Sequence, residues 1–331
     1  MQFFSYDLTE DPDTVFEKLI SILSKYEFKT FGLGVIYLKD QDLHRLRREF
    51  QPLLIQKMKQ YFKAKVIYSK PEILVVLDFR KNKIELSIKS VFVSARYNKF
   101  SREIPQTYYY CYYCKGRGCN FCKRTGKLSE TSVEELVSKH FEKLFISEGS
   151  KFIGAGREDM DVLMLGSGRP FLIELLDPKV RSNSRIKLKL LQRLVNKKYT
   201  EIKILNLRMA SKKDIEKVKN TALKKTYRAI VECNKEISKK EINGLKGKYL
   251  IKQITPERVE KRRSMLTRER KAQIKKVKLI DNTHFEITVK TDAGLYIKEF
   301  VSGDKGRSDP SLSSLLGKDC VCKQLDVIKV C

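Results

Sequence analysis

Two clusters in this sequence carry residue types that do chemistry. The first is the run Gly154-Ala155-Gly156-Arg157-Glu158-Asp159-Met160-Asp161-Val162, continued by Leu165-Gly166-Ser167-Gly168-Arg169-Pro170-Phe171 and Glu174. Three carboxylates lie among glycines and two arginines. A loop, a strand, a turn and a second strand would hold Asp159 near a sheet edge with cations beside it, and such neighbours keep a carboxylate ionised. An ionised, positioned aspartate serves as nucleophile or base. The same composition also suits Glu158, Asp159 and Asp161 around magnesium in a nuclease, or turn acids paired with Arg157 and Arg169. The glycines spell neither GxGxxG nor GxxxxGK[ST], which disfavours a nucleotide cofactor.

The second cluster is Cys111, Cys114, Cys119 and Cys122, spaced C-x2-C-x4-C-x2-C. Two thiolate knuckles at this spacing close a tetrahedron around zinc, and Gly116 and Gly118 let the link between them turn tightly. Four thiolates fill the shell and leave no place for a water, so this zinc is expected to be structural. The three histidines, His44, His140 and His284, form no HExxH or HxE pattern, which argues against histidine-based catalysis.

The elements that must position these clusters follow from periodicity. Apolar residues recur at helical spacing over Asp13 to Tyr26 and over Leu43 to Tyr61, and the runs Glu72 to Phe79 and Lys83 to Val93 read as a strand hairpin. Residues 1–105 are therefore expected to form a small α/β domain, and 106–130 a zinc-knuckle linker. A helix start of capping-box character at Thr131-Ser132-Val133-Glu134-Glu135 opens a second domain over 131–331. There, strands are expected at Asp161 to Leu165, Phe171 to Leu176, Glu201 to Leu207, Thr226 to Cys233, Lys248 to Ile254, Val277 to Asp281, His284 to Lys290 and Cys320 to Val330. Helices are expected at about Lys187 to Asn196, Lys212 to Val218 and Tyr296 to Val301. So many strands with few helices predict an α+β fold around one large, mostly antiparallel sheet.

The chain of 331 residues has 69 Lys+Arg against 40 Asp+Glu, a net charge of +29. Residues 181–280 hold 32 of the cations and 9 of the acids, so most of the excess lies in less than a third of the chain. A localised surplus of this size points to nucleic acid. Arg258, Arg262, Arg263, Arg268 and Arg270, with Lys271, Lys275, Lys276 and Lys278, are the candidates for phosphate contact. The longest apolar run, Phe31 to Leu38, is far short of a membrane span, and the acidic start lacks the pattern of a secretion signal. An intracellular, monomeric protein without membrane partners is expected.

The GREDMDV…LGSGRPF…E run resembles the signature of the archaeal and eukaryotic tRNA pseudouridine synthase family that modifies the TΨC arm at tRNA positions 54 and 55. Other stretches agree in order: Ala95 to Thr107, similar to that family's RYNKxSRxxPQT segment; the cysteine knuckles with Thr125-Gly126-Lys127; Lys225-Thr226-Tyr227-Arg228-Ala229; Gln253 to Val259 with Arg262-Arg263; and Ala293 to Val301 with Gly303-Asp304 and Gly306-Arg307. The resemblance covers roughly Lys83 to the C-terminus. It implies a pseudouridine synthase fold with a THUMP-like N-terminal accessory domain, and isomerisation of tRNA uridine without an organic cofactor. It makes Asp159 the catalytic aspartate, Tyr227 the active-site tyrosine and Lys298 the basic residue that pairs with the aspartate. Arg157 and Arg169 join the basic segment as RNA contacts. The alternative from another class is a non-catalytic, zinc-containing tRNA-binding protein.

Overall fold

Asp11 accepts a hydrogen bond from the Thr14 amide at 2.8 Å, and Pro12 fits the first helical position, so helix α1 (Pro12–Leu23) begins there. The computed structural model describes residues 2–6, 8, 11–37, 46–220 and 223–331, without the side chains at 46, 47, 220, 261 and 262. Val15, Leu19, Ile22 and Leu23 of α1 are buried. They cover a five-stranded sheet of β1 (Gln2–Ser5), β2 (Thr30–Ile36), β3 (Lys65–Val66), β4 (Ile73–Asp78) and β5 (Lys83–Ile88), in the order β1-β5-β4-β2-β3. The expected helix over Leu43 to Tyr61 is α2 (Gln51–Phe62) behind a π-helical turn at Leu46–Phe50; its first three residues lie outside the described chain.

The expected hairpin is present as β4 and β5, but its second arm ends at Ile88. The next strand, β6 (Val91–Lys99), corrects the expected boundary at 105. It pairs antiparallel with β8 (Leu163–Leu176) and β9 (Ile202–Ala210), so it belongs to the large sheet. Every other residue of a strand faces the same side of a sheet, and in β6 both sides are largely buried, as suits an interior strand.

The large sheet also contains β7 (Gly149–Gly154), β10 (Lys225–Cys233), β11 (Gly247–Ile254), β12 (Thr267–Leu279), β13 (His284–Thr291), β14 (Ser308–Asp309) and β15 (Cys320–Val330). Its order is β14-β11-β12-β13-β10-β15-β8-β6-β9, with β7 also on β8. All pairings are antiparallel except β15 with β8. The α+β architecture is therefore as expected.

Two strands run longer than periodicity suggested. The segments at Asp161 to Leu165 and Phe171 to Leu176 are one strand, β8, that carries Gly166 and Gly168 at positive φ instead of a reversing turn. A Cβ at Gly166 would lie 2.0 Å from the Ile328 carbonyl oxygen, so glycine is what lets β15 approach. Likewise β12 starts ten residues before the expected Val277. Of its residues only Ala272 and Ile274 are buried, so the alternation that marks a strand is hidden by lysines and arginines.

Helix α3 (Val133–Phe145) begins at Ser132, whose hydroxyl accepts from the Glu135 amide at 3.2 Å, and it packs against β7 and β8. After α4 (Arg185–Lys198), α5 (Lys213–Asn220) and α6 (Lys239–Gly244), the short helix α7 (Ile297–Ser302) packs against β15. The small sheet is tied to the large one through Glu27, which accepts from the amides of Arg181 and Ser182 at 2.8 and 3.0 Å. Among the described residues no helix is long and apolar enough to cross a membrane.

Candidate active site

The loop 155–162 between β7 and β8 is held from below. Lys99, fully buried at the end of β6, donates to the carbonyls of Ser101, Ile104 and Met160 at 3.0, 3.0 and 2.6 Å. Burial lowers its ammonium to a pKa of about 8. Gln106 donates to the Tyr97 hydroxyl at 2.7 Å and to the Gly156 carbonyl at 2.9 Å. Arg102 donates to the Asp161 carbonyl at 2.6 Å and pairs with the buried Asp326. Backbone groups on both sides of Asp159 are thus fixed by side chains from one short stretch, 99–106.

Within that frame the three acids part company. Glu158 turns inward: Arg169 Nε lies 2.7 Å from one oxygen, and the Tyr97 hydroxyl lies 2.7 and 2.9 Å from the two. Burial and the Glu158 charge together push the Tyr97 phenol well above its ordinary pKa. Asp159 turns outward, with its side chain 40% exposed, 2.9 Å from Arg258 Nη1 and 3.7 Å from Lys298 Nζ. Asp161 binds Lys298 through both oxygens, at 2.7 and 3.0 Å. Burial alone would raise the Asp161 carboxyl, but the Lys298 bond and charge bring it below the usual range.

Asp159 and Lys298 are therefore neighbours, but the nearer partner of Asp159 is Arg258 and the nearer partner of Lys298 is Asp161. Arg258 is itself anchored by Glu299 through Nε at 2.5 Å, so it reaches Asp159 from a fixed base. Asp159, Arg258 and Lys298 line one cleft with Arg157, Arg169, Tyr227, Arg263, Tyr296, Ile297 and Tyr109. Tyr227, half-buried on β10, has its hydroxyl pushed up to about 12 by burial, partly offset by Arg169. It stays a neutral phenol and offers a flat face.

The basic residues divide by burial. Arg169 is buried in the Glu158 pair and donates to the Ala155 carbonyl at 2.8 Å, so it cannot reach a phosphate, which corrects its expected RNA contact. Arg157 is exposed and stacks over the Tyr109 ring at 4.3 Å; Arg263 is exposed at the cleft. Arg268 and Arg270 are half-buried and donate to Thr255 Oγ1 at 3.2 Å and the Ala293 carbonyl at 2.8 Å. The side chain of Arg262 lies outside the described part. A second cavity adjoins the cleft, sharing Arg157, Tyr227 and Arg263 with it and adding Lys225 and Arg268. Lys225 is lowered to about 8 by burial and by the Arg169 charge.

Cys111, Cys114, Cys119 and Cys122 bring their sulfurs within 4.8 Å of one another, with contacts of 3.7, 3.8 and 3.9 Å. A tetrahedron with zinc–sulfur bonds of about 2.3 Å puts its sulfurs about 3.8 Å apart, so the quartet fits zinc. Amides of Gly118, Cys119 and Gly126 point at Cys114 and Cys122 from 3.1 to 3.2 Å, as thiolates require. Among the described residues it is the only such cluster of His, Cys, Asp or Glu. With Glu158 turned into the core, the three acids of the loop do not converge on a common point.

Sequence reasoning assigned no role to Lys99, Gln106, Glu299 or Lys225. Their work is done through side-chain directions that spacing does not reveal, although Glu299 stands beside Lys298, and Lys99 and Gln106 lie within the 95–107 stretch on which the family resemblance rests.

A family model described as Pus10, C-terminal, matches residues 92–331. The tRNA pseudouridine synthase Pus10 of Methanocaldococcus jannaschii is 39% identical over 331 aligned residues, covering 96% of this chain and 72% of that protein. Its namesake in Methanothermobacter marburgensis is 38% identical over 289 residues, 86% of this chain and 71% of the other. For Archaeoglobus fulgidus the figures are 36% over 333 residues, 95% and 90%. A chain in the crystal structure of a Cbf5-Nop10-Gar1 complex overlaps 60% of this chain and 45% of its own length at 16% identity with a TM-score of 0.33, a likeness too slight to carry an argument.

Proposed function

Since the chain belongs to the Pus10 family of tRNA pseudouridine synthases and is an isomerase of tRNA uridine, we propose that its target lies in the TΨC arm, at uridine 54, 55 or both, and that Asp159 is the catalytic aspartate. The observation that carries this reading is the half-exposed Asp159 carboxylate at the cleft, flanked by Arg258 and Lys298, with Tyr227 in the same lining.

Uridine becomes pseudouridine when the base-sugar bond breaks, the uracil turns, and a carbon of the base rejoins the sugar. No group is lost and no electrons are transferred overall, so no organic cofactor is called for. The needs are an ionised carboxylate beside the sugar, a surface that keeps the detached base, and exclusion of water. Asp159 meets the first, either by attacking the sugar carbon or by taking a proton from the sugar, while Arg258 and Lys298 pair with it and hold it aimed. Tyr227 offers a face on which the flipped uracil stacks. Eversion costs a few kcal/mol, offset by phosphate contacts. Arg157 and Arg263 at the rim, with Lys225 and Arg268 in the adjoining cavity, are placed to make them.

The four cysteines would hold zinc in a closed shell that supplies stiffness to the linker and takes no part in the reaction. The sheet of residues 2–88 serves as a THUMP-like RNA-binding accessory, and the protein works inside the cell as a monomer. Incubating uridine-labelled tRNA transcript with the protein in magnesium-free buffer tests the reading. Pseudouridine should form at position 54, 55 or both. Intact, unmodified RNA would mark a binding protein, and cleavage appearing only with magnesium would mark a nuclease.

A further inference from the structure

The segment 107–127 contains five cations and no acidic residue. Its knuckles turn cysteine sulfurs inward, so the residues between them must point out. Tyr112, Tyr113 and Phe121 are accordingly 61, 64 and 57% exposed. They do not stand singly: ring centroids lie 4.4 Å apart for Tyr112 and Tyr113, 4.6 Å for Tyr113 and Phe121, and 5.5 Å for Tyr112 and Phe121. Three large rings held together in water are costly on a monomer and mark a contact surface. Around them Lys115, Arg117, Lys123 and Arg124 are exposed and, among the described residues, make no ion pair; Lys127 alone of the five is paired, with Glu135.

Flat π faces interleaved with unpaired cations complement unpaired nucleotides, whose bases stack while the phosphates are neutralised. An acidic protein surface would satisfy the cations but leave the ring faces without a planar partner. The location agrees. Tyr109 lines the cleft under the Arg157 guanidinium, and Tyr112 follows three residues later, so their Cα atoms are at most about 10 Å apart. Stacked nucleotides advance about 3.4 Å each, which puts the platform within about three nucleotides of the cleft.

We propose that Tyr112, Tyr113 and Phe121 form a stacking platform for the unpaired nucleotides flanking the target uridine, with Lys115, Arg117, Lys123 and Arg124 neutralising the phosphates between them. The proposal rests on the isomerase reading of the cleft for the identity of the strand. Zinc held by the four cysteines would close the knuckles and so fix the tilt of the rings.

The test titrates full-length protein with a fluorescein-labelled, unstructured 12-nucleotide RNA and with a blunt duplex of the same length. Tyr112→Ala with Phe121→Ala should weaken single-strand binding at least tenfold, leave duplex binding within about twofold, and retain one zinc per chain. Tyr112→Phe with Tyr113→Phe should bind as the unmodified protein does, because the ring faces persist. Equal losses on both RNAs, no loss on the single strand, or a phenylalanine pair as weak as the alanine pair would each overturn the proposal. Should the alanine protein lose its zinc, fluorescence of a 2-aminopurine base placed next to the target uridine decides: quenching by the unmodified protein supports stacking, and undiminished emission refutes it. Asp159→Asn, run beside these, should bind the single strand normally. If no protein in the set makes pseudouridine yet the rings still govern strand binding, the catalytic reading fails and the platform stands.

Discussion

Glu158 and Asp159 are adjacent acids in one loop and live in opposite surroundings. The Glu158 side chain is 1% exposed, gripped by Arg169 and Tyr97; that of Asp159 is 40% exposed and meets Arg258 across the cleft. A buried pair that loses one partner leaves an uncompensated charge in a medium that cannot solvate it. A half-exposed pair can trade its partner for a substrate at small cost. The first acid therefore holds the loop and the second is available for chemistry. Charge and spacing alone do not distinguish them; side-chain direction does.

Four experiments can break or sharpen this contrast. Asp159→Asn should bring isomerisation to background in a tRNA assay, while tRNA affinity and thermal midpoint stay near those of the unmodified protein. Retained activity would shift the catalytic role to Asp161. For Glu158→Gln the effect should be on the fold: urea titration is expected to show a loss of about 3–5 kcal/mol, with Arg169 left unpaired in the core. A fully stable Glu158→Gln would end the contrast.

The clamp beneath the loop gives a pH test. Lys99 releases its proton near 8 in the folded protein, against 10.5 for the free side chain. Between those values the unfolded chain binds the extra proton, so stability should rise with pH, by up to about 3 kcal/mol. Lys99→Met should lack that rise when unfolding is followed from pH 7 to 10.5; parallel curves would mean that burial does not lower the Lys99 ammonium. The smallest effect concerns the two cations at Asp159. Arg258→Gln should lower kcat about tenfold and Lys298→Gln less, since Arg258 is the nearer at 2.9 Å against 3.7 Å. The reverse order would make Lys298 the principal partner.

Much of this was legible along the chain. The cysteine quartet is a local pattern in which spacing alone determines geometry, and the helix at Val133–Phe145 starts where its capping residues stand. The loop around Asp159 is also local. What could not be read is what depends on distant partners. Arg169 has the same charge as Arg157 but is buried by a strand pairing over seventy residues away in sequence, at Tyr97. Strand β12 was seen only in part because its exposed basic side chains mask the period of two. The chemistry of Lys99 rests on three carbonyls that no pattern of side chains announces.

Strand β6 lies between β8 and β9, supplies Tyr97 to Glu158, and ends in Lys99 under the Met160 carbonyl. Anyone trimming the gene must respect this. A fragment beginning after residue 105 would lack an interior plank of its own floor and would present two bare strand edges to every neighbour in solution. A fragment beginning at residue 90 would keep that plank, and with it the post on which the reactive loop stands.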